Sequence, residues 1–117
     1  MDIYFTDNDL RLDCNNFDRA KKRWDNQKAK KLIKHLGQVR TAESFADLWK
    51  MKWLELEKLE KRKGRRFGQW SIVVEGPLRV IFYPVGDELT WRDPSGNYIW
   101  KNMRAIEIIE VVDYHDE

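Results

Sequence analysis

Hydrophobic positions follow a helical period in the first half of the chain and a strand period in the second. A brief polar–apolar alternation over Asp2 to Thr6 predicts an opening strand, and Asp7-Asn8-Asp9 reads as a turn after it. From about Asn16 to Arg40, residues Phe17, Ala20, Trp24, Ala29, Leu32, Ile33, Leu36 and Val39 form an amphipathic stripe. The stripe predicts two helices with a break near Asp25-Asn26, and Asn15 or Asn16 can cap the first by accepting from its unpaired N–H groups. Thr41 is suited to cap a further short helix through about Lys50, with Phe45, Leu48 and Trp49 on its buried side and Glu43 near the positive end of its dipole.

Beyond that helix the period changes. Trp53, Leu54, Leu56 and Leu59 read as a loop leading into a weak strand. Gln69 to Glu75 and Leu78 to Tyr83 are rich in β-branched and aromatic residues, and Gly76-Pro77 between them predicts a hairpin. Turn residues return at Pro84-Val85-Gly86-Asp87 and at Asp93-Pro94-Ser95-Gly96-Asn97, leaving room for a short strand over Leu89 to Arg92. Ala105 to Tyr114, dense in Ile and Val, predicts a central or well-paired strand. The expected class is α+β, with the N-terminal strand and helices packed on one face of a small, mostly antiparallel, twisted sheet. At 117 residues, the whole of 1–117 is expected to form one domain.

Charge changes this picture more than composition does. The net charge of +2 conceals a segregation: residues 18–40 carry nine Lys/Arg against Asp18 and Asp25, and residues 58–66 carry six against Glu60. From Arg104 onward the balance reverses, with five acids against one base. Clustered cations favour a polyanionic partner, although the segment 18–40 alone reads first as a solvated helix face. Cys14 is the single cysteine, so an intramolecular disulfide is excluded; with only two histidines, a zinc site of the usual ligand set is not expected, and neither is any cofactor. No apolar run has the roughly 20 residues of a membrane span, and the N-terminus lacks the pattern of a signal peptide, so a cytoplasmic chain without a membrane partner is expected.

Three segments carry a family likeness. Lys63-Gly64-Arg65-Arg66-Phe67-Gly68-Gln69-Trp70-Ser71-Ile72 is followed by Leu78-Arg79-Val80-Ile81-Phe82 and then by Ile109-Glu110-Val111-Val112-Asp113-Tyr114-His115. In that order they resemble the HigB-like killer proteins of the RelE/ParE superfamily of type II toxins: a lysine–glycine turn with arginine, a strand opening aromatic–serine–isoleucine, an arginine-bearing strand, and a terminal aspartate–tyrosine–histidine. Arg40-Thr41-Ala42-Glu43-Ser44-Phe45-Ala46-Asp47-Leu48 is similar to their short helical entry, so the likeness spans most of residues 30–115. The chain departs from the pattern in having Glu60-Lys61 where the family often has histidine–proline, and in the longer hairpin with Asp93 to Asn102 inserted.

The resemblance implies a RelE-like fold and a ribosome-dependent endoribonuclease that cleaves mRNA in the ribosomal A site without a metal. It also implies a cognate, HigA-like antitoxin. Cleavage by the RNA's own 2′-hydroxyl requires a base, stabilisation of the phosphorane charge, and an acid for the departing 5′-oxygen. His115 exchanges protons near neutral pH and suits the acid; Lys63 or Tyr114 suits the base. Arg66 and Arg79 suit bidentate phosphate contacts, and Asp113 suits orientation of a neighbour. Lys58, Lys61, Arg62 and Arg65 are expected to contact RNA. Strand alternation sets Asp113 and His115 on one face and Tyr114 on the other, unless the strand ends there.

Blander readings stand beside these. A histidine near the end of the chain is commonly a surface residue, and Arg79 can be satisfied by an ion pair with Asp113 or Glu110. His35 has no catalytic companion nearby in sequence. Trp24, Trp49 and Trp53 read as helix-to-sheet packing; Trp70, Trp91 and Trp100 can stack on bases where exposed, though core packing is the safer expectation for all six. Two other functions remain open: a ParE-like inhibitor of DNA gyrase that cleaves nothing, and a non-toxic regulatory partner.

Overall fold

Each α-helix begins at a short polar side chain in the computed structural model, which describes residues 1–59 and 66–116. Asp7 caps α1 (Asn8–Asn15), its carboxylate accepting from the Asp9 N–H at 2.9 Å. The expected turn at Asp7-Asn8-Asp9 is therefore a helix start, since caps and turns draw on the same local side-chain bonds. Asn16 caps α2 (Phe17–Trp24) through the Arg19 N–H, and Asp25 caps α3 (Asn26–Thr41) through the Lys28 N–H. Asp25 has φ of 78°, so one left-handed residue makes the corner that the hydrophobic pattern marks as a break. Asp13 joins the first two helices by ion pairs of 2.8 Å to both Arg19 and Arg23. Desolvation would raise its carboxyl, but the bonds from Arg23 and Arg19 prevail and hold it below the ordinary carboxylate range.

Ser44, rather than Thr41, caps α4 (Phe45–Lys50). Thr41 instead completes α3, its hydroxyl donating back to the Gln38 carbonyl at 2.8 Å, a bond that a threonine inside a last helical turn readily makes.

The strands are β1 (Asp2–Phe5), β2 (Glu57–Lys58), β3 (Trp70–Glu75), β4 (Leu78–Pro84) and β5 (Ala105–Asp113). Their order is β1-β5-β4-β3-β2, with β1 parallel to β5 and the other pairs antiparallel, so the expected class and the central place of the last strand are both observed. Gly76, at φ of 54°, makes the first turn of the β3–β4 hairpin in a conformation a Cβ would oppose. The strand expected at Leu89–Arg92 is a 3-10 turn, Glu88–Thr90, capped by Asp87; only Arg92 bridges to Tyr98.

Leu32, Leu36 and Val39 of α3 and Phe45 and Leu48 of α4 close over Ile72, Val80, Phe82, Ile106 and Ile108 of the sheet. Phe45 meets Trp70 and Phe82 edge-on, with ring centroids 5.1 and 6.0 Å apart. Core packing does not extend to all six tryptophans. Trp70 and Trp91 are buried and Trp24 and Trp100 pack against the cluster, whereas Trp49 and Trp53 are half-exposed. Trp53 can stay there because its indole N–H donates to Gln38 at 2.8 Å.

His35 and Cys14 are used by the core. His35 is buried, its Nδ1 bonded to the Val73 carbonyl at 2.8 Å; burial lowers its pKa, the Val73 bond opposes this, and Lys31 and Lys34 add to the lowering. Burial pushes the Cys14 thiol up to about 12. Among the described residues, no helix is long and apolar enough to cross a membrane.

Candidate functional site

Alternation along β4 sends Leu78, Val80 and Phe82 into the helix-covered core and leaves Arg79, Ile81 and Tyr83 on the opposite face. On β5 the alternation is interrupted. Ile81 pairs with Glu110 and Phe82 with Ile108, so Ile109 is an extra residue at a bulge. Ile106 and Ile108 enter the core before the bulge and Val111 after it. The bulge thereby turns Glu110, which an unbroken alternation would bury beneath the helices, onto the face that carries Arg79.

Two cationic groups lie on this face. Arg66, with its side chain 7% exposed, donates to Gln69 Oε1 at 3.0 Å and to Glu110 Oε1; Gln69 Nε2 in turn donates to the Tyr83 hydroxyl at 3.1 Å. Glu110 keeps 41% of its side chain exposed. One register step away, Arg79 lies opposite Val112, roughly 7 Å along the strand from the Ile81–Glu110 pair. Its guanidinium stacks on the Tyr114 ring, 5.0 Å from the centroid, and donates to the carbonyls of Gly76 and Leu78. The ion pair expected between Arg79 and Asp113 or Glu110 does not form: Glu110 holds Arg66, and Arg79 has no carboxylate partner among the described residues.

Strand geometry stops at Asp113, and Tyr114–Asp116 form a 3-10 turn. The Tyr114 N–H donates to the Pro77 carbonyl at 3.0 Å, tying the turn to the β3–β4 hairpin. Asp113 accepts from the His115 N–H at 2.8 Å, and its carboxylate is 3.9 Å from His115 Nδ1. It therefore holds the turn and faces the imidazole, whose side chain is 82% exposed. Asp113 also lines a cleft of about 510 Å³ with Arg23, Trp24 and Lys28, on the helix side of the sheet.

The sequence-derived candidates thus fall into three groups. Arg66 is used in a buried network, Arg79 and Tyr114 form a stack on the open face, and Asp113 with His115 occupies the rim where β5 ends. Lys58 lies apart at the edge of the sheet, its ammonium 4.3 Å from the centroid of the Tyr98 ring. Lys61, Arg62, Lys63 and Arg65 fall outside the described residues. Sequence reasoning passed over Glu110 and Gln69 as site residues. The available signal was a carboxylate in the middle of an Ile/Val strand, the same signal that singled out Arg79.

Among solved structures, the chain is similar to a YoeB/ParE toxin from Agrobacterium tumefaciens, with a TM-score of 0.50 and 15% identity over 95% of this chain and 95% of that one. No family model matches the sequence, and no curated protein matches it. The likeness is one of fold: an α+β arrangement consistent with that of the RelE/ParE toxins.

Proposed function

We propose that this chain, a single domain, is the toxin of a type II toxin–antitoxin pair, of the HigB-like branch, and a ribosome-dependent endoribonuclease that cuts mRNA in the A site. The observation that carries the reading is Arg79: a guanidinium held on a sheet face by an aromatic ring and two carbonyls, with no carboxylate partner among the described residues. A fixed cation without a counter-charge is suited to a phosphate, and more so to the extra negative charge of a phosphorane. The basic helix α3 and the cationic segment 58–66 supply the wider attraction to RNA.

In this reading the 2′-hydroxyl of the RNA is the nucleophile. Arg79 holds the scissile phosphate, and His115, fixed at the end of β5 by Asp113, protonates the 5′-oxygen. Lys63 or the exposed carboxylate of Glu110 removes the 2′-proton; Tyr114, expected as an alternative base, has its hydroxyl oxygen buried and serves through the ring on which Arg79 stacks. Arg66 acts through Glu110, because its own guanidinium is enclosed. Lys58, Lys61, Arg62 and Arg65 guide the strand. A cognate, HigA-like antitoxin silences the toxin, which acts in the cytoplasm and needs no cofactor.

The similar structure is a YoeB/ParE toxin, and the ParE side of that likeness keeps gyrase inhibition as the second reading. Induction in a bacterial host, followed by mapping of mRNA ends for the wild type, His115→Ala and Arg79→Ala, separates the two. Codon-associated breaks that disappear in both variants are expected. Intact messages beside broken or stalled chromosomal DNA would sink the nuclease reading. Growth without arrest would leave the chain a non-toxic partner.

A further inference from the structure

The β3–β4 hairpin carries most of what fixes Arg79. Val73 stands opposite Arg79 in the ladder, and the carbonyls of Gly76 and Leu78 accept from its guanidinium. The Pro77 carbonyl accepts from the N–H of Tyr114, the residue on whose ring that guanidinium stacks. The position of Arg79 therefore follows the position of the hairpin end.

That end is weakly enclosed. β2 pairs with β3 only at Trp70 and Ser71, so among the described residues β3 has no strand beside its outer edge from Ile72 onward. The ladder between β3 and β4 slips between Val73 and Glu75, and Val74 and Leu78 are the last residues of the hairpin to enter the core. On the helix side, a cleft of about 510 Å³ opens between the α2–α3 corner, at Trp24, Asp25 and Lys28, and Leu78, Val112 and Asp113. Two polar bonds from α3 reach this stretch, one on each side of the slip. His35, 8% exposed, bonds the Val73 carbonyl through Nδ1 at 2.8 Å. Gln27, about two turns earlier on α3, donates to the Glu75 carboxylate at 2.6 Å. A carbonyl only accepts, so Nδ1 of His35 carries the proton. The His35 bond is enclosed, whereas the bond from Gln27 to Glu75 lies in water and contributes less. We infer that His35 is a positioning residue for the Arg79 site: it fixes the backbone of Val73 across from Arg79 and, with Gln27, ties the hairpin end and the Tyr114 turn to α3. As an effect on cleavage, the inference rests on the nuclease reading; as a coupling between α3 and the Tyr114 turn, it is measured without it.

The test follows hydrogen exchange of the Tyr114 amide alongside mRNA cleavage on translating ribosomes. His35→Leu, which keeps most of the volume and removes the donor, is expected to speed that exchange about five- to tenfold and to lower kcat about tenfold, with KM within about twofold. His35→Asn sets an amide N–H near the place of Nδ1 and is expected to return both to within about threefold of the wild type. Val39→Ala, a core change on the same helix matched for stability loss by denaturant titration, is expected to leave both within about twofold, because the Tyr114 turn opens locally rather than by global unfolding. Gln27→Ala leaves the core intact and is expected to speed the exchange about twofold. Unchanged exchange in His35→Leu overturns the inference, as does equal acceleration in Val39→Ala, which would make His35 a packing residue only. Where His35→Leu does not fold, unchanged exchange in Gln27→Ala overturns the tie to α3. Faster exchange with kcat unchanged overturns the positioning role and leaves the nuclease standing. A wild-type chain that cuts nothing, with exchange still faster in His35→Leu, removes the nuclease reading alone and supports the coupling.

Discussion

The two faces of the sheet are built from the same strands and solve different problems. Beneath the helices, Phe82, Val80, Ile72 and Ile108 are dry and close-packed. On the other face, Arg66, Arg79, Glu110 and Tyr114 pair cations with a carboxylate, an aromatic ring and carbonyls. One face obtains its stability from apolar area removed from water, and the other spends side-chain positions on charge that contributes little to folding. Ile81 is fully buried on the second face as well, so the division is sharpest at the end of β4, where Phe82 and Tyr83 should respond to mutation in opposite ways.

The sharpest break would come from Phe82 and Tyr83. Phe82→Ala is expected to cost about 3–5 kcal/mol in a denaturant titration. Tyr83→Ala, on the other side of β4, should cost less than about 1.5 kcal/mol. Equal losses would mean that the faces are not distinct. Arg79→Ala carries the converse expectation: cleavage measured on translating ribosomes should fall about 10²–10³-fold, while stability stays within about 1 kcal/mol of the wild type.

Arg66 tests the boundary between the faces. Its guanidinium is enclosed, so Arg66→Ala should lose about 1–3 kcal/mol, and a double-mutant cycle with Glu110→Gln should show that the two losses are coupled. Additive losses would separate the pair. A smaller effect belongs to His35, on the covered side. Burial lowers its folded pKa below the ordinary 6.5, so the neutral ring's contribution is complete above 6.5 and is lost as pH falls toward the folded value. Denaturation midpoints measured from about pH 7 down to about pH 5 should therefore decline less steeply in His35→Gln than in the wild type. The smallest effect expected is at Cys14: with the thiol pushed up to about 12 and buried, the native chain should leave a thiol reagent almost unconsumed until it is unfolded.

Much of the architecture was legible because helices and hairpins are local. The stripe from Phe17 to Val39, the break at Asp25, the Gly76-Pro77 hairpin and the Ile/Val-rich last strand all show in the periodicity, and all are observed. The start of α1 was missed because Asp7-Asn8-Asp9 serves equally as turn or cap, and the choice falls to the residues on its C-terminal side, Leu10 to Asn15, which continue as a helix. The end of β5 at Asp113 was foreseen only as an alternative. It depends on the Tyr114 N–H finding the Pro77 carbonyl, a contact between distant parts of the chain that no local pattern records.

By itself, the sequence determined the α+β class, the helical and strand segments, the segregation of charge, and the presence of Arg79 and Glu110 as charges within apolar strands. Tertiary structure alone decided which charges meet. Glu110 shares its parity with the buried Ile106 and Ile108, and only the extra residue at Ile109, set by pairing with β4, turns it toward Arg66. Periodicity determines which residues alternate, but the face each one reaches depends on register, and register is settled by hydrogen bonds to a strand elsewhere in the chain.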